Sequence, residues 1–134
     1  MYFIQRIAFF CLLITQGFSQ SYHFKNYSAE QGLPFVQVYT MYQDSKGNLW
    51  VGGYGGLSKF DGKTFTNYSP NDGLVNHSVI SITEDEKGNI WVGTTSGLSR
   101  FDGKSFYTYT QPDKLVNNRI NSLITDKNKN IWMG

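Results

Sequence analysis

Between Val79 and Glu84 the chain reads Val-Ile-Ser-Ile-Thr-Glu, a short β-branched run with no charge before its last residue. Such a run predicts a strand. Strict alternation puts Val79, Ser81 and Thr83 on one face and Ile80 and Ile82 on the other. Neither face is charged, so the strand is expected to be packed on both sides. Asp-Glu-Lys-Gly-Asn then reads as a turn, with Gly88 supplying a positive φ. Ile90–Thr94 is a second apolar strand, Leu98–Phe101 a third and Ser105–Thr110 a fourth. The last two are separated by Asp102-Gly103-Lys104, an Asp-Gly hairpin turn. A longer link, Gln111–Asn118, follows. After residue 19 no segment has apolar residues at a 3.6-residue period, so no helix is expected there.

The same pattern returns along the chain. Trp50, Trp91 and Trp132 are 41 residues apart, as are Tyr27, Tyr68 and Tyr109, and Asp44, Asp85 and Asp126. Residues 27–67 and 68–108 align without a gap and agree at 20 of 41 positions. Four short strands in a repeat of that length predict an all-β fold, a β-propeller with blades of four antiparallel strands. The phase predicts an incomplete one: an orphan outer strand at 22–27, repeats at 28–68 and 69–109, and a truncated repeat at 110–134. The sequence therefore reads as a partial propeller over 20–134, an N-terminal piece of a longer protein.

A repeated Trp inside a strand suits the gap between neighbouring twisted sheets, where burying the ring is worth ~2–4 kcal/mol. Trp50, Trp91 and Trp132 are therefore expected to be architectural; the functional alternative is a ligand-stacking aromatic. Gly52, Gly93 and Gly134, two residues on, are expected to let a backbone or ring approach closely. In the third copy Lys129 stands where Gly47 and Gly88 do, so either Lys129 or Asn128 is expected to carry the positive φ.

Composition changes the picture at the N-terminus. Arg6, the apolar run Ile7–Ile14, and Gly17 and Ser19 have the layout of a secretory signal peptide spanning 1–19. The alternative, a membrane anchor, needs a longer run of about 20 apolar residues. Cleavage would remove Cys11, the sole cysteine, leaving no disulfide or thiolate metal site. The chain is expected to be periplasmic or extracellular. A net charge of +2 gives no basic footprint for nucleic acid.

The motif Asp-x-Lys-Gly-Asn-[Leu/Ile]-Trp-Val-Gly, followed by Gly-Leu-Ser-[Lys/Arg]-Phe-Asp-Gly-Lys-x-Phe, resembles the two-component regulator propeller repeat over residues 22–134. The resemblance implies the periplasmic sensor region of a hybrid two-component histidine kinase of the Bacteroidetes type. It also implies further blades, an inner-membrane anchor, a homodimeric receptor and an oligosaccharide ligand. Kinase activity would belong to the full-length parent and not to this stretch.

Candidate chemistry is sparse. His23 and His77 occupy different repeat positions, and no Ser-His-Asp, paired-His or Cys/His spacing occurs after residue 19. No catalytic residue, metal site or cofactor is expected. Asp44, Asp85 and Asp126 are read as turn caps, with calcium ligation the sharper alternative. In an up-and-down sheet the links between second and third strands share one end with the links between blades. That end carries Phe35, Gln37, Tyr54, Asn76, His77, Thr95, Asn117, Asn118 and Arg119, which differ between copies apart from the Asn76 and Asn117 pair. Of these, Tyr54, Asn76, His77, Thr95, Asn117, Asn118 and Arg119 are the candidate ligand-binding residues. Amides, a Tyr and an Arg suit sugar hydroxyls or acidic sugars. Two other readings stay open: a propeller enzyme such as a lyase with its active site in further blades, and a structural or protein-binding secreted propeller.

Overall fold

The structure is a computed structural model that describes residues 22–35, 37–111 and 115–134. The expected signal peptide at 1–19 lies outside the described residues. Two four-stranded antiparallel sheets follow one another, with strand orders β1-β2-β3-β4 and β5-β6-β7-β8. The first comprises β1 (Val38–Gln43), β2 (Leu49–Gly53), β3 (Gly56–Phe60) and β4 (Phe65–Tyr68). The second comprises β5 (Val79–Glu84), β6 (Ile90–Thr94), β7 (Gly97–Phe101) and β8 (Phe106–Tyr109). A third sheet pairs β9 (Leu123–Thr125) with β10 (Ile131–Met133). The described residues contain no α-helix. Single 3-10 turns at Ala29–Gln31 and Pro70–Asp72 open two of the links. Each is capped by a serine whose backbone N–H donates to the side chain three residues on, Ser28 to Gln31 and Ser69 to Asp72, both at 2.9 Å.

Residues 23–28 belong to no strand among the described residues. A strand needs a ladder partner, and the segment is anchored by a ring instead. Tyr27 inserts edge-on against Phe60 and Phe65, at 5.0 and 5.6 Å. Tyr68, 41 residues later, packs tilted against Phe101 at 5.1 Å and edge-on against Phe106 at 5.4 Å. The receiving phenylalanines lie 4.7 Å apart in both cases. A tyrosine from one repeat is thus held by a phenylalanine pair of the next.

The expected alternation in β5 is corrected by a β-bulge. Val79 pairs with Thr94 and Ser81 with Gly93, so Ile80 is extra; Tyr39 is extra in β1 in the same way. An added residue reverses the alternation. Val79 therefore joins Ile82 in the core with Trp50 of the preceding sheet. Ser81 faces the other way with Thr83, whose hydroxyl lies 2.8 Å from that of Thr125. The conclusion that the strand is packed on both faces stands; the membership of the faces does not.

At Gly52 and Gly93 neighbouring sheets approach closely. A Cβ at Gly52 would overlap Val79 Cγ1, and one at Gly93 would come to 2.7 Å from Ile120 Cγ2. From the neighbouring repeat, what approaches is an aliphatic side chain, Val79 or Ile120, rather than a backbone or a ring. Gly134 has nothing within 4 Å of its Cβ position.

The three tryptophans follow a gradient. Trp50 is 2% exposed, stacked on Tyr68 at 6.0 Å and met edge-on by Phe101 of the next sheet at 5.8 Å. Trp91 stacks on Tyr109 at 5.8 Å and is half-buried. Trp132 is 62% exposed. A cation lies over each of the first two rings, Lys59 over Trp50 and Arg100 over Trp91, at 5.8 and 5.9 Å.

At the other end of each sheet, the Asp-x-x-Gly-Asn turns close with Gly47 and Gly88 at φ 85° and 79°. Lys129 takes the same left-handed conformation at φ 67°, a strain of ~1 kcal/mol for a residue with a Cβ. Lys129→Gly is expected to raise stability by about 0.5 kcal/mol, part of the relief being offset by the freer unfolded glycine. A melting temperature that stays level or falls would show that the turn carries no strain there.

Candidate functional site

The antiparallel order places the β2–β3 and β6–β7 turns and the inter-sheet links on one end of the stack. Hydrogen bonds lock these loops together. Tyr54 forms an isolated β-bridge with Ser78, and the Gly55 N–H donates to the His77 carbonyl at 3.0 Å. The Ser78 carbonyl also accepts from the Thr95 N–H at 3.2 Å. With its backbone fixed, the Tyr54 ring stands edge-on to the His77 ring at 5.0 Å and 87°. It is nonetheless 60% exposed. Beside it, Asn76 Oδ1 accepts from the Ser78 N–H at 2.8 Å and the Thr95 hydroxyl at 3.2 Å. Asn76 Nδ2 donates to Ser96 Oγ at 3.3 Å.

The candidate residues thus fall into two groups. Tyr54, Asn76, His77 and Thr95 form one continuous patch across the first two sheets. Asn117, Asn118 and Arg119 lie one link further on, anchored by the Ile120 N–H donating to the Thr94 carbonyl at 2.9 Å. No hydrogen bond or ring contact joins the two groups among the described residues. Phe35 is not on this surface: it is 6% exposed and packs with Leu33 and Val51. Gln37 is exposed and accepts from the Tyr39 hydroxyl at 3.1 Å.

Near Arg119, a depression of about 440 Å³ is lined by Leu115, Ile120, Met133 and Gly134. In the second repeat Leu98 of β7 is buried and Ser99 Oγ accepts from the Val75 N–H at 2.9 Å.

The opposite end is built on aspartates, and their role is fuller than turn capping. Asp44 Oδ1 accepts from the Lys46 and Asn48 N–H groups at 3.0 and 2.8 Å. Its Oδ2 accepts from Asn48 Nδ2 at 2.9 Å and from the Trp50 indole at 2.8 Å. The set recurs at Asp85 with Asn89 and Trp91, and at Asp126 with Asn130 and Trp132. Burial pushes the Asp44 and Asp85 carboxyls up, but hydrogen bonds from the Asn and Trp side chains and the turn N–H groups outweigh it, leaving both below the ordinary range. At Asp126 the Trp132 indole is the main lowering influence. The indole bond was not foreseen from the sequence, though the constant six-residue Asp-to-Trp spacing signals it. Ser45 and Glu84 add a tie between the first two sheets, with the Ser45 N–H and hydroxyl donating to the Glu84 carboxylate at 2.8 and 2.7 Å. Among the described residues no three His, Cys, Asp or Glu side chains are grouped to hold a metal ion.

Four-stranded antiparallel sheets stacked face to face with a repeated aromatic latch define β-propeller blades. The family model for the two component regulator propeller matches residues 32–55, 73–96 and 114–134, just over half of the chain. The protein belongs to that family. Among solved structures it is similar to the extracellular domain assigned to hybrid two component system BT3049 from B. thetaiotaomicron. That match has a TM-score of 0.74 and 27% identity, and covers 82% of this chain and 16% of the other. The chain therefore spans under a fifth of that relative. Two structures of the extracellular domain of BT4673 from the same organism match at 19% and 20% identity with TM-scores of 0.42 and 0.40. They cover 73% and 79% of this chain, and 19% and 21% of theirs. No curated protein matches the chain.

Proposed function

We propose that this chain is part of the ligand-reading propeller of an exported two-component sensor, and that it binds oligosaccharide at its loop end without chemistry of its own. The carrying observation is Tyr54, an exposed ring held rigid by a β-bridge and an edge-on histidine. Such a ring offers its π face to the carbon face of a pyranose at little entropic cost. The Thr95 hydroxyl beside it, which donates to Asn76, keeps lone pairs to accept from a sugar hydroxyl. In the same reading, further blades complete the propeller, and the receptor signals as a membrane-anchored dimer to a histidine kinase. The extracellular placement of the BT3049 domain supports this location.

Calorimetric titration of the protein with oligosaccharide pools tests the proposal. Tyr54→Ala is expected to weaken binding about tenfold, the equivalent of ~1.4 kcal/mol of stacking. Unaltered affinity in that variant would place the ligand elsewhere.

A further inference from the structure

We propose that Tyr39 is a second ligand contact, aimed by the β-bulge of β1, and that it shares one oligosaccharide with Tyr54. The inference rests on the reading of the loop end as the ligand-facing end and extends it inward, to where the sheets converge. Successive sheets touch along their first strands, β1 against β5 and β5 against β9. β1 and β5 are edge strands of their own sheets. The free edges of the first strands therefore gather at the hub of the stack.

The bulge decides which side chain stands at that edge. Tyr39 and Ile80 have no partner across the ladder. In the third copy the N–H groups of Asn121 and Ser122 both donate to the Gly134 carbonyl, at 2.7 and 3.0 Å, so two residues again oppose one. In β5 Val79 is buried against the preceding sheet and Ser81 faces the following one. Ile80, between them, belongs to neither face. It has a sheet on each side and is still only half-buried, outside the core cluster. The bulged position is thus kept out of the joints between sheets and turned to the free edge of its strand. The residue before it is always aliphatic, Val38, Val79 or Ile120, and the residue after it always carries a small hydroxyl, Thr40, Ser81 or Ser122. The bulged position itself reads Tyr, Ile and Asn. A fixed backbone device carrying a changing side chain is how a scaffold varies a contact without altering its joints.

In the first sheet that side chain is an exposed tyrosine whose hydroxyl donates to Gln37 Oε1 at 3.1 Å. The bond restrains the ring, and the hydroxyl keeps lone pairs to accept from a sugar hydroxyl. Val38 pairs with Gly53, so Tyr39 and Tyr54 each follow one member of a single cross-strand pair. Ordinary strand spacings put their Cα atoms about 8 Å apart. Two rings at that separation suit successive units of a short oligosaccharide rather than a single sugar.

Calorimetry on the full chain tests this with neutral probes: cellobiose, xylobiose and maltose, and the pentasaccharide of each series. At least one pentasaccharide is expected to bind tighter than its disaccharide. Tyr39→Ala should weaken that pentasaccharide about tenfold and leave the disaccharide unchanged. Tyr39→Gln should behave like Tyr39→Ala, and Tyr39→Phe, which keeps the ring, should stay within about threefold of wild type. The comparison of Gln with Phe holds however well the Ala variant folds. Met41→Ala, at an exposed position two residues along the same strand, should change nothing. Unchanged pentasaccharide affinity in Tyr39→Gln, an equal loss in Met41→Ala, or no binding of any probe would overturn the proposal. Binding that is lost in Tyr54→Ala but indifferent to Tyr39 would remove the second contact and keep the Tyr54 platform. Binding that needs the Tyr39 ring and ignores Tyr54 would keep Tyr39 as a contact and overturn the platform.

Discussion

Trp50→Ala is expected to lower the unfolding free energy by about 4 kcal/mol. The indole is almost wholly buried, stacked on Tyr68 of its own sheet and struck edge-on by Phe101 of the next. Truncation opens a cavity at the junction of two sheets and leaves Asp44 Oδ2 with one donor fewer. The same change at Trp91 removes a half-buried ring and is expected to cost about half as much. At Trp132, exposed to 62%, it should cost under about 1 kcal/mol. Denaturant melts followed by circular dichroism would rank the three variants. An equal loss at all three would mean that the tryptophan acts within its own sheet and that neighbouring sheets add nothing to it.

Asp44→Ala is expected to cost about 3 kcal/mol, because it strands four donors, two of them on buried or half-buried side chains. Asp44 is only 7% exposed, so water cannot readily replace the carboxylate. Asp44→Asn keeps one acceptor for the backbone N–H groups and loses the one for Asn48 and Trp50, so it should fall between wild type and Ala. The pH dependence has a definite sign. The folded carboxyls of Asp44 and Asp85 are held below their ordinary value of 3.8. Their contribution is complete above about pH 4 and is lost as the pH falls through the folded values. Wild type should lose stability on acidification below pH 4, and Asp44→Asn should lose less over the same interval. Parallel profiles would show that Asp44 titrates alike in the folded and unfolded chains.

The fold was legible in the sequence because its unit is written more than once. The 41-residue step located the turns, and within them Gly-Asn and Asp-Gly dipeptides carry local backbone physics that needs no tertiary context. The second strand was read to the residue, Ile90–Thr94, since an apolar run bounded by turn signals fixes both its ends. The faces of β5 were not legible. A one-residue bulge at Ile80 leaves no compositional mark, yet it exchanges the side on which Val79 lies. The tie from Asp44 to Trp50 was written in a fixed spacing but only coordinates reveal which atoms meet. Phe35 was misplaced for a related reason: a variable position in a link looks like surface until its side chain is seen under Gly53 and Gly55. Of the loop-end residues, topology placed Tyr54, Asn76, His77 and Thr95 on one end.

The tyrosine latch has a consequence for how such chains grow. Tyr68 and the Phe101–Phe106 pair are plug and socket of one joint, and the plug is carried by the repeat before the socket. Any tandem duplication of 41 residues therefore delivers a matching plug with every new socket, whatever point of the cycle the break falls on. Gene copying alone can lengthen the array without a new contact having to evolve.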